Sequence, residues 1–274
     1  MRRRWTAPSL LIPLGLLGLL FLLGLFPGLV TDRLPMKSGY TTAMTAPSKS
    51  FPLGTDQLGR DVFAWVVHGT RMAFAVGGAC TGVSFLIALL GMLAGYFGGR
   101  VDQLVMRITD LTMSVPRFVL IVVFATLLGS TFLNIVLIIG GLSWPTMARI
   151  MRAETMSLRE REFVLSARVV GCRPFDIVLT EILPNILPPV VPSLALQFSL
   201  SIIDEIGISF LGLGDPNVAS WGRLISVGRQ ALFAGGWWVL LTPCCVCILM
   251  LVCLNLVADR LNDLFNPRLR FEGQ

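Results

Sequence analysis

Long apolar runs alternate with short charged intervals along this chain. Apolar stretches cover about residues 10–30, 72–97, 115–128, 135–150 and 237–257, and another, opened by Pro188, Pro189 and Pro192, reaches Phe210. Most approach the ~20 residues that an α-helix needs to cross a hydrocarbon core of ~30 Å. The alternating segments of a β-barrel are absent. The pattern predicts an all-α polytopic membrane protein with six transmembrane helices. Pro145 should kink the fourth, and Trp237-Trp238 stand where an interfacial aromatic belt belongs.

The intervals assign sides. Residues 31–70 are polar and rich in Gly, Pro and Thr, residues 130–134 read as a tight turn, and residues 211–236 begin Gly212-Leu213-Gly214-Asp215-Pro216. These are expected outside. Residues 100–110, residues 151–186 and both termini are expected inside. Fifteen of the 22 Lys and Arg then fall inside, Arg100, Arg107, Arg117, Arg149, Arg152 and Arg159 among them, as the positive-inside bias requires. Arg2-Arg3-Arg4 before a Leu-rich run could open a signal peptide. That run exceeds the usual 7–15 residues and no A-x-A site follows, so it reads as a first membrane helix with its amino end cytoplasmic. The expected organisation is a membrane helix and extracytoplasmic segment over 1–70, then a transmembrane domain over 71–274 with a cytoplasmic loop at about 151–186.

Composition narrows the class. Of 274 residues, 54% are apolar and 14% charged, against about 25% charged in a soluble domain, and mean hydropathy is +0.77. The net charge of +6 is accounted for by cytoplasmic loops; no basic patch is interleaved with exposed aromatics as nucleic-acid binding would need. Five of six Cys lie in apolar runs. Cys244-Cys245-x-Cys247 has no His or carboxylate beside it and reads as small core residues, not a metal site. The single His, His68, is a poor metal ligand by itself and is expected at the outer end of the second helix in a structural role.

The most informative interval is residues 157–186, SLREREFVLSARVVGCRPFDIVLTEILPNI. Ser157-Leu158-Arg159-Glu160 matches a capping box and predicts a helix start. Phe163, Ala167 and Val170 recur at helical spacing, with Arg161, Glu162, Ser166 and Arg168 on other faces. Gly171 stands where a left-handed residue ends a helix. Pro174 suits the first turn of a second helix, with Asp176 near its positive end, and Leu183-Pro184 returns the chain to the membrane. This describes a short amphipathic helix held off the membrane by a turn. It is either an ordinary interfacial loop or the dock for a soluble partner.

Ser166-Ala167-x3-Gly171-x9-Glu181-Ile182-Leu183-Pro184 resembles the E-A-A-x3-G-x9-I-x-L-P loop of ABC importer permeases. Leu53-Gly54-Thr55-Asp56-Gln57-Leu58-Gly59-Arg60-Asp61 is similar to the L-G-T-D-x-x-G-R-D stretch of their dipeptide/oligopeptide/nickel family. So are Ala94-Gly95-Tyr96-Phe97-Gly98-Gly99 with Asp102 and Arg107, Ser209-Phe210-Leu211-Gly212-Leu213-Gly214 with Ser220-Trp221-Gly222, and Asn255-Leu256 with Asp259 and Pro267-Arg268. The likeness runs from Leu53 almost to the end. It implies a type I ABC importer permease fold, and specifically the C-type inner-membrane subunit of a bacterial or archaeal importer, with both termini cytoplasmic. The implied partners are a second homologous permease, two ATPase subunits or domains that bind ATP and Mg, and an extracytoplasmic substrate-binding protein. The implied ATPase-coupling residues are Glu162, Phe163, Ser166, Ala167, Arg168, Val170, Gly171, Leu183 and Pro184. Leu165 and Ser166 replace the usual Glu and Ala, which shifts weight from a carboxylate contact to shape and apolar packing.

No G-x-x-x-x-G-K-[ST] occurs, and the two lysines, Lys37 and Lys49, follow no such loop. Nucleotide chemistry therefore falls to other subunits, and no cofactor or catalytic residue is expected in this chain. Asp204 and Glu205 stand within an apolar span, where carboxylates are costly and face a bundle interior or an aqueous path; the alternative is hydration at the outer surface. They are about 100° apart on a helix, so both need not face one path. Three functions follow: import of di- or oligopeptides, import of nickel or a metal–chelator complex by the same machine, or ion-coupled secondary transport using Asp204 and Glu205. An intramembrane enzyme lacks a nucleophile–base pair.

Overall fold

The computed structural model describes residues 8–265, with side chains for 11–264. Arg2-Arg3-Arg4, Pro267-Arg268 and Arg270 lie outside the described residues. Among those described, the chain is helical with a single isolated bridge, Thr55 to Asp61. The helices are α1 (Pro8–Leu25), α2 (Pro27–Val30), α3 (Val62–Phe97), α4 (Gly99–Met113), α5 (Arg117–Leu128), α6 (Phe132–Leu158), α7 (Glu162–Val169), α8 (Pro174–Ile177), α9 (Leu183–Phe210), α10 (Trp221–Phe233) and α11 (Trp237–Phe265); a π turn, Val178–Ile182, joins α8 to α9.

The count of six separate spans is revised. Four lines of helix are long and apolar enough to cross a membrane: α3, α6, Pro174–Phe210 and α11. A fifth crossing exists if α4 and α5, bent by 83° at their junction, form one span, and the described part of α1 is a shorter apolar helix. The third run fails as a span by itself because α5 has 12 residues, about 18 Å of helix against a core of ~30 Å. One end abuts the Gly129–Thr131 turn, and Arg117 at the other end lies about 18 Å from it along the helix. Arg117, counted among the inner charges, is the first residue of α5.

Other boundaries moved for local reasons. α3 starts at Val62, ten positions before its apolar run, because Asp61 caps it: Oδ1 accepts from Phe63 N–H at 2.9 Å and Ala64 N–H at 3.4 Å. α10 was not expected within the outer segment; Ser220 caps it by accepting from Arg223 N–H at 3.2 Å. The Ser157–Glu160 capping box does not form. α6 continues through Ser157 to Leu158, its last turns held by buried Met151 and Thr155, and Arg161 occupies the N-cap of α7 without a side-chain cap.

The core is built on α3 against α6. A Cβ on Gly91 would run into the Ala148 carbonyl, and one on Gly95 would lie 2.7 Å from the Arg152 carbonyl. Small residues four apart thus let two backbones meet, the usual way membrane helices associate where apolar burial gives no drive. At the inner end Arg152 grips Asp102 of α4 through Nε and Nη2, Arg149 bonds Asp110 at 2.6 Å, and Arg159 Nη1 donates to the Gly95 carbonyl at 3.1 Å. The two carboxylate contacts fix α4 to the C-terminal half of α6, and Arg159 ties the end of α6 to α3.

Candidate functional site

The segment between α6 and α9 is a helix, a glycine turn and a second short helix. α7 ends in a Schellman motif: Cys172 N–H donates to the Ala167 carbonyl at 3.0 Å and Gly171 N–H to the Arg168 carbonyl at 3.1 Å, with Gly171 at φ +86°. That conformation is cheap for Gly alone among ordinary residues. Glu162 in the first turn and Arg168 in the last suit the helix dipole, and the Arg168 guanidinium lies 5.1 Å from the Tyr96 ring centroid.

The expected stripe of Phe163, Ala167 and Val170 divides. Val164 is fully buried and Ala167 half-buried, both packed on a cluster with Tyr96, Met151, Ile177, Val178, Ile182 and Leu183. Phe163 is 39% exposed, and Val170 is 82% exposed beside Val169 at 87% and Phe175 at 62%. Glu162, Ser166 and Pro184 are also exposed. Val164 is thus the anchor, and an apolar knob projects around the turn. Such a concentration of exposed apolar side chains marks an interaction surface.

From this segment the chain runs straight into the membrane. In the π turn Leu183 N–H bonds the Val178 carbonyl, an i to i+5 register. Pro184 explains it: it has no N–H for the Thr180 carbonyl and its ring would crowd that oxygen in α geometry.

Asp204 and Glu205 are 6% and 2% exposed, so neither is hydrated at the outer surface. They turn to different neighbours. Glu205 Oε1 accepts from Ser209 Oγ at 2.6 Å. Asp204 Oδ2 forms an ion pair with Arg117 Nη2 at 2.8 Å, and Arg117 Nη1 also reaches Ser143 Oγ at 3.3 Å. Sequence reasoning missed Arg117 as a partner. The signal was there in Val115-Pro116-Arg117-Phe118-Val119: a lone cation after a proline, opening an apolar run.

At the opposite end of the fold a rim is tied together by buried polar bonds. Asp56 is fully buried and takes N–H bonds from Leu58 and Arg60, both 2.9 Å, and Arg60 Nε at 2.6 Å. Arg60 then stacks 4.4 Å from the Trp65 ring centroid, and Arg33 pairs with Asp61 at 2.6 Å. Trp65 Nε1 donates to the Ser220 carbonyl at 3.1 Å and Trp221 Nε1 to the Val66 carbonyl at 3.0 Å, so α3 and the start of α10 exchange indole bonds. A cavity of about 320 Å³ opens beside this rim between Ser209, Gly214, Asp215 and Arg223. Burial there lowers the proton affinity of Arg223, the Arg60 charge adds to that, and Asp215 opposes it. His68 lies in α3, lining a neighbouring cavity with Arg71 and Met72. Among the described residues no group of three or more His, Cys, Asp or Glu is placed to hold a metal.

The family described as "Binding-protein-dependent transport system inner membrane component" matches residues 87–271. The chain belongs to that family. The permease is 32% identical over 251 residues to the Dipeptide transport system permease protein DppC of Alkalihalophilus pseudofirmus, spanning 91% of this chain and 82% of that one. It is 32% identical over 266 residues to the Di/tripeptide transport system permease protein DppC of Pseudomonas aeruginosa (92% and 88%). The Oligopeptide transport system permease protein OppC of Mycobacterium bovis is 35% identical over 236 residues (84% and 80%). In fold it is similar to a chain of the MetNI methionine ABC transporter in an inward-facing conformation, with a TM-score of 0.58 and 17% identity over 74% of this chain and 96% of that one. The permease is therefore a multi-pass inner-membrane component of an ABC transporter, a class that works in complex with a second permease, an ATPase and a substrate-binding protein. The family is not itself a catalytic unit.

Proposed function

We propose that this permease imports di- or oligopeptides, forming the translocation path with one homologous permease, powered by two ATPase subunits that bind ATP and Mg, and supplied by an extracytoplasmic binding protein. Both termini are cytoplasmic in this reading, since that puts the segment at 151–186 beside the ATPases. The observation that carries it is identity of 32% to a dipeptide permease over 91% of the chain, joined to the exposed knob on the cytoplasmic segment. Phe163 and Val170 enter a groove on an ATPase, with Glu162, Ser166 and Arg168 at its polar edge. Ala167 and Gly171 hold the shape, and Leu183 and Pro184 pass the motion into α9. ATP closure of the ATPases favours one of two arrangements of the membrane helices through its contacts at this knob. Asp204 and Glu205 border the path, Asp204 through Arg117.

The test is reconstitution of the permease with its co-encoded partners in proteoliposomes. ATP-dependent uptake of a labelled dipeptide, saturating with peptide and absent without the binding protein, supports the reading. Uptake of a nickel–chelator complex but not peptide, or a binding protein whose melting temperature rises with nickel alone, overturns the peptide assignment. Uptake driven by an ion gradient without any ATPase overturns the whole.

A further inference from the structure

α5 is the least tethered of the membrane helices. It is 12 residues long, bounded at one end by the 83° break after α4 and at the other by Gly129 at φ +82°. Its inner end is held at few points. Arg117 pairs with Asp204 of α9 at 2.8 Å and touches Ser143 of α6 at 3.3 Å. One edge of the Phe118 ring meets Gly207 of α9, where an added Cβ would come within 2.8 Å of Cε2.

The pair is poorly explained as simple stabilisation. A cation at a helix N-terminus opposes the helix dipole, and a carboxylate inside a membrane helix is costly alone. Buried pairs seldom outperform apolar side chains of the same volume; their best-attested use is to fix a register or a switch. This pair joins a short helix beside a break to a long unbroken one. Asp204 rides on the line Pro174–Phe210, which begins at the cytoplasmic segment and runs unbroken, through the π turn, to the outer rim. Arg117 stands beside the break in the neighbouring span. Asp204 is 9% exposed at its side chain and Arg117 31%, so the anion is fixed in the interior while the cation stands at the edge and can leave it.

We propose that Arg117 and Asp204 form a latch that ties the hinged segment α5 to the driven helix α9, closed in one transport state and open in the other. Both are positioning residues: the pair converts displacement of α9 into a swing of α5 about residues 114–116. The proposal rests on the ATP-driven reading above.

The experiment uses the whole transporter with its partner subunits in lipid nanodiscs and proteoliposomes. Spin labels at exposed Leu127 on α5 and Leu211 beyond α9 report their separation by pulsed electron resonance, with and without trapped nucleotide. The expected result is two distinct distances; one unchanged distance overturns the latch, whatever any variant does. In uptake, Arg117→Met and Asp204→Asn are each expected to lower peptide transported per ATP hydrolysed about 10-fold, and the exchange Arg117→Asp with Asp204→Arg to recover most of it. Single variants that transport as the parent does, or an exchange variant that assembles at parental yield without recovery, overturn it. A parent complex that takes up no peptide refutes the functional reading itself, and is seen before any variant is made.

Discussion

Substitution of Gly171 isolates the turn that carries the exposed apolar knob. Gly171 lies at φ +86° and nothing stands within 4 Å of where its Cβ would be, so a side chain adds torsional strain without a clash. The left-handed conformation costs an ordinary residue about 1–2 kcal/mol and a β-branched one nearer 3, whereas Asn tolerates it. At about 1.4 kcal/mol per factor of ten, Gly171→Ala shifts the capped turn roughly 5- to 30-fold toward the open form and Gly171→Val roughly 100-fold. The cap at stake is the pair of bonds from Gly171 and Cys172 to the Arg168 and Ala167 carbonyls. Opening it releases Val169 and Val170 from their fixed places. Peptide uptake per ATP hydrolysed, in proteoliposomes, should follow the order Gly, Asn, Ala, Val, with Asn within about 2-fold of the parent and Val lower by 10-fold or more. Equal coupling by Val and Asn variants would refute the reasoning, because side-chain size would then matter and backbone geometry would not.

Three further substitutions probe the scaffold. Gly91→Leu drives a side chain into the Ala148 carbonyl; overpacking where backbones meet costs about 3 kcal/mol or more, and detergent-extracted yield of folded permease should collapse. Asp61→Ala removes the α3 cap and the partner of Arg33; a loss of about 1–2 kcal/mol is expected, with Asp61→Ser recovering part of it, read as melting temperature by intrinsic fluorescence. Trp65→Phe deletes the bond to the Ser220 carbonyl, which keeps Leu224 N–H as a donor, so destabilisation should stay near 1 kcal/mol.

Much of this was legible because the signals were local. Gly171 as a left-handed helix end followed from one glycine after an amphipathic run, and Pro174 opening a second helix from one ring. Apolar length gave α6 and α11 within a few residues at their outer ends. What was not legible depended on contacts across the fold. Ser157 and Glu160 have the spacing of a capping box, yet packing of Met151 and Thr155 carries α6 past them. The inward face of α7 rests on Val164 because the cluster beneath offers room there, which helical spacing within the segment does not reveal. Arg117 was counted among the inner charges at the start of the 115–128 run; only α9, 87 positions on, supplies the carboxylate that pairs with it. Counting positive charges weighs each residue by its neighbours in sequence, and so gives no sign of a charge that is paired with a distant partner.

The prolines of α9 carry a consequence for biogenesis. Pro184, Pro188, Pro189 and Pro192 deprive the carbonyls of Thr180, Pro184, Asn185 and Pro188 of their α-helical donors, and an isolated helix in lipid has no water to replace them. The inner half of α9 is therefore a poor candidate for independent insertion. Its buried faces, Ile186 and Val190, pack with Met92, Trp144 and Met147 of α3 and α6. A newly made chain would have to seat α3 and α6 first and receive α9 into a groove already formed, so synthesis order and assembly order coincide. An α3–α6 contact weakened at Gly91 would then be felt as degradation of the nascent permease, before any transporter exists to assay.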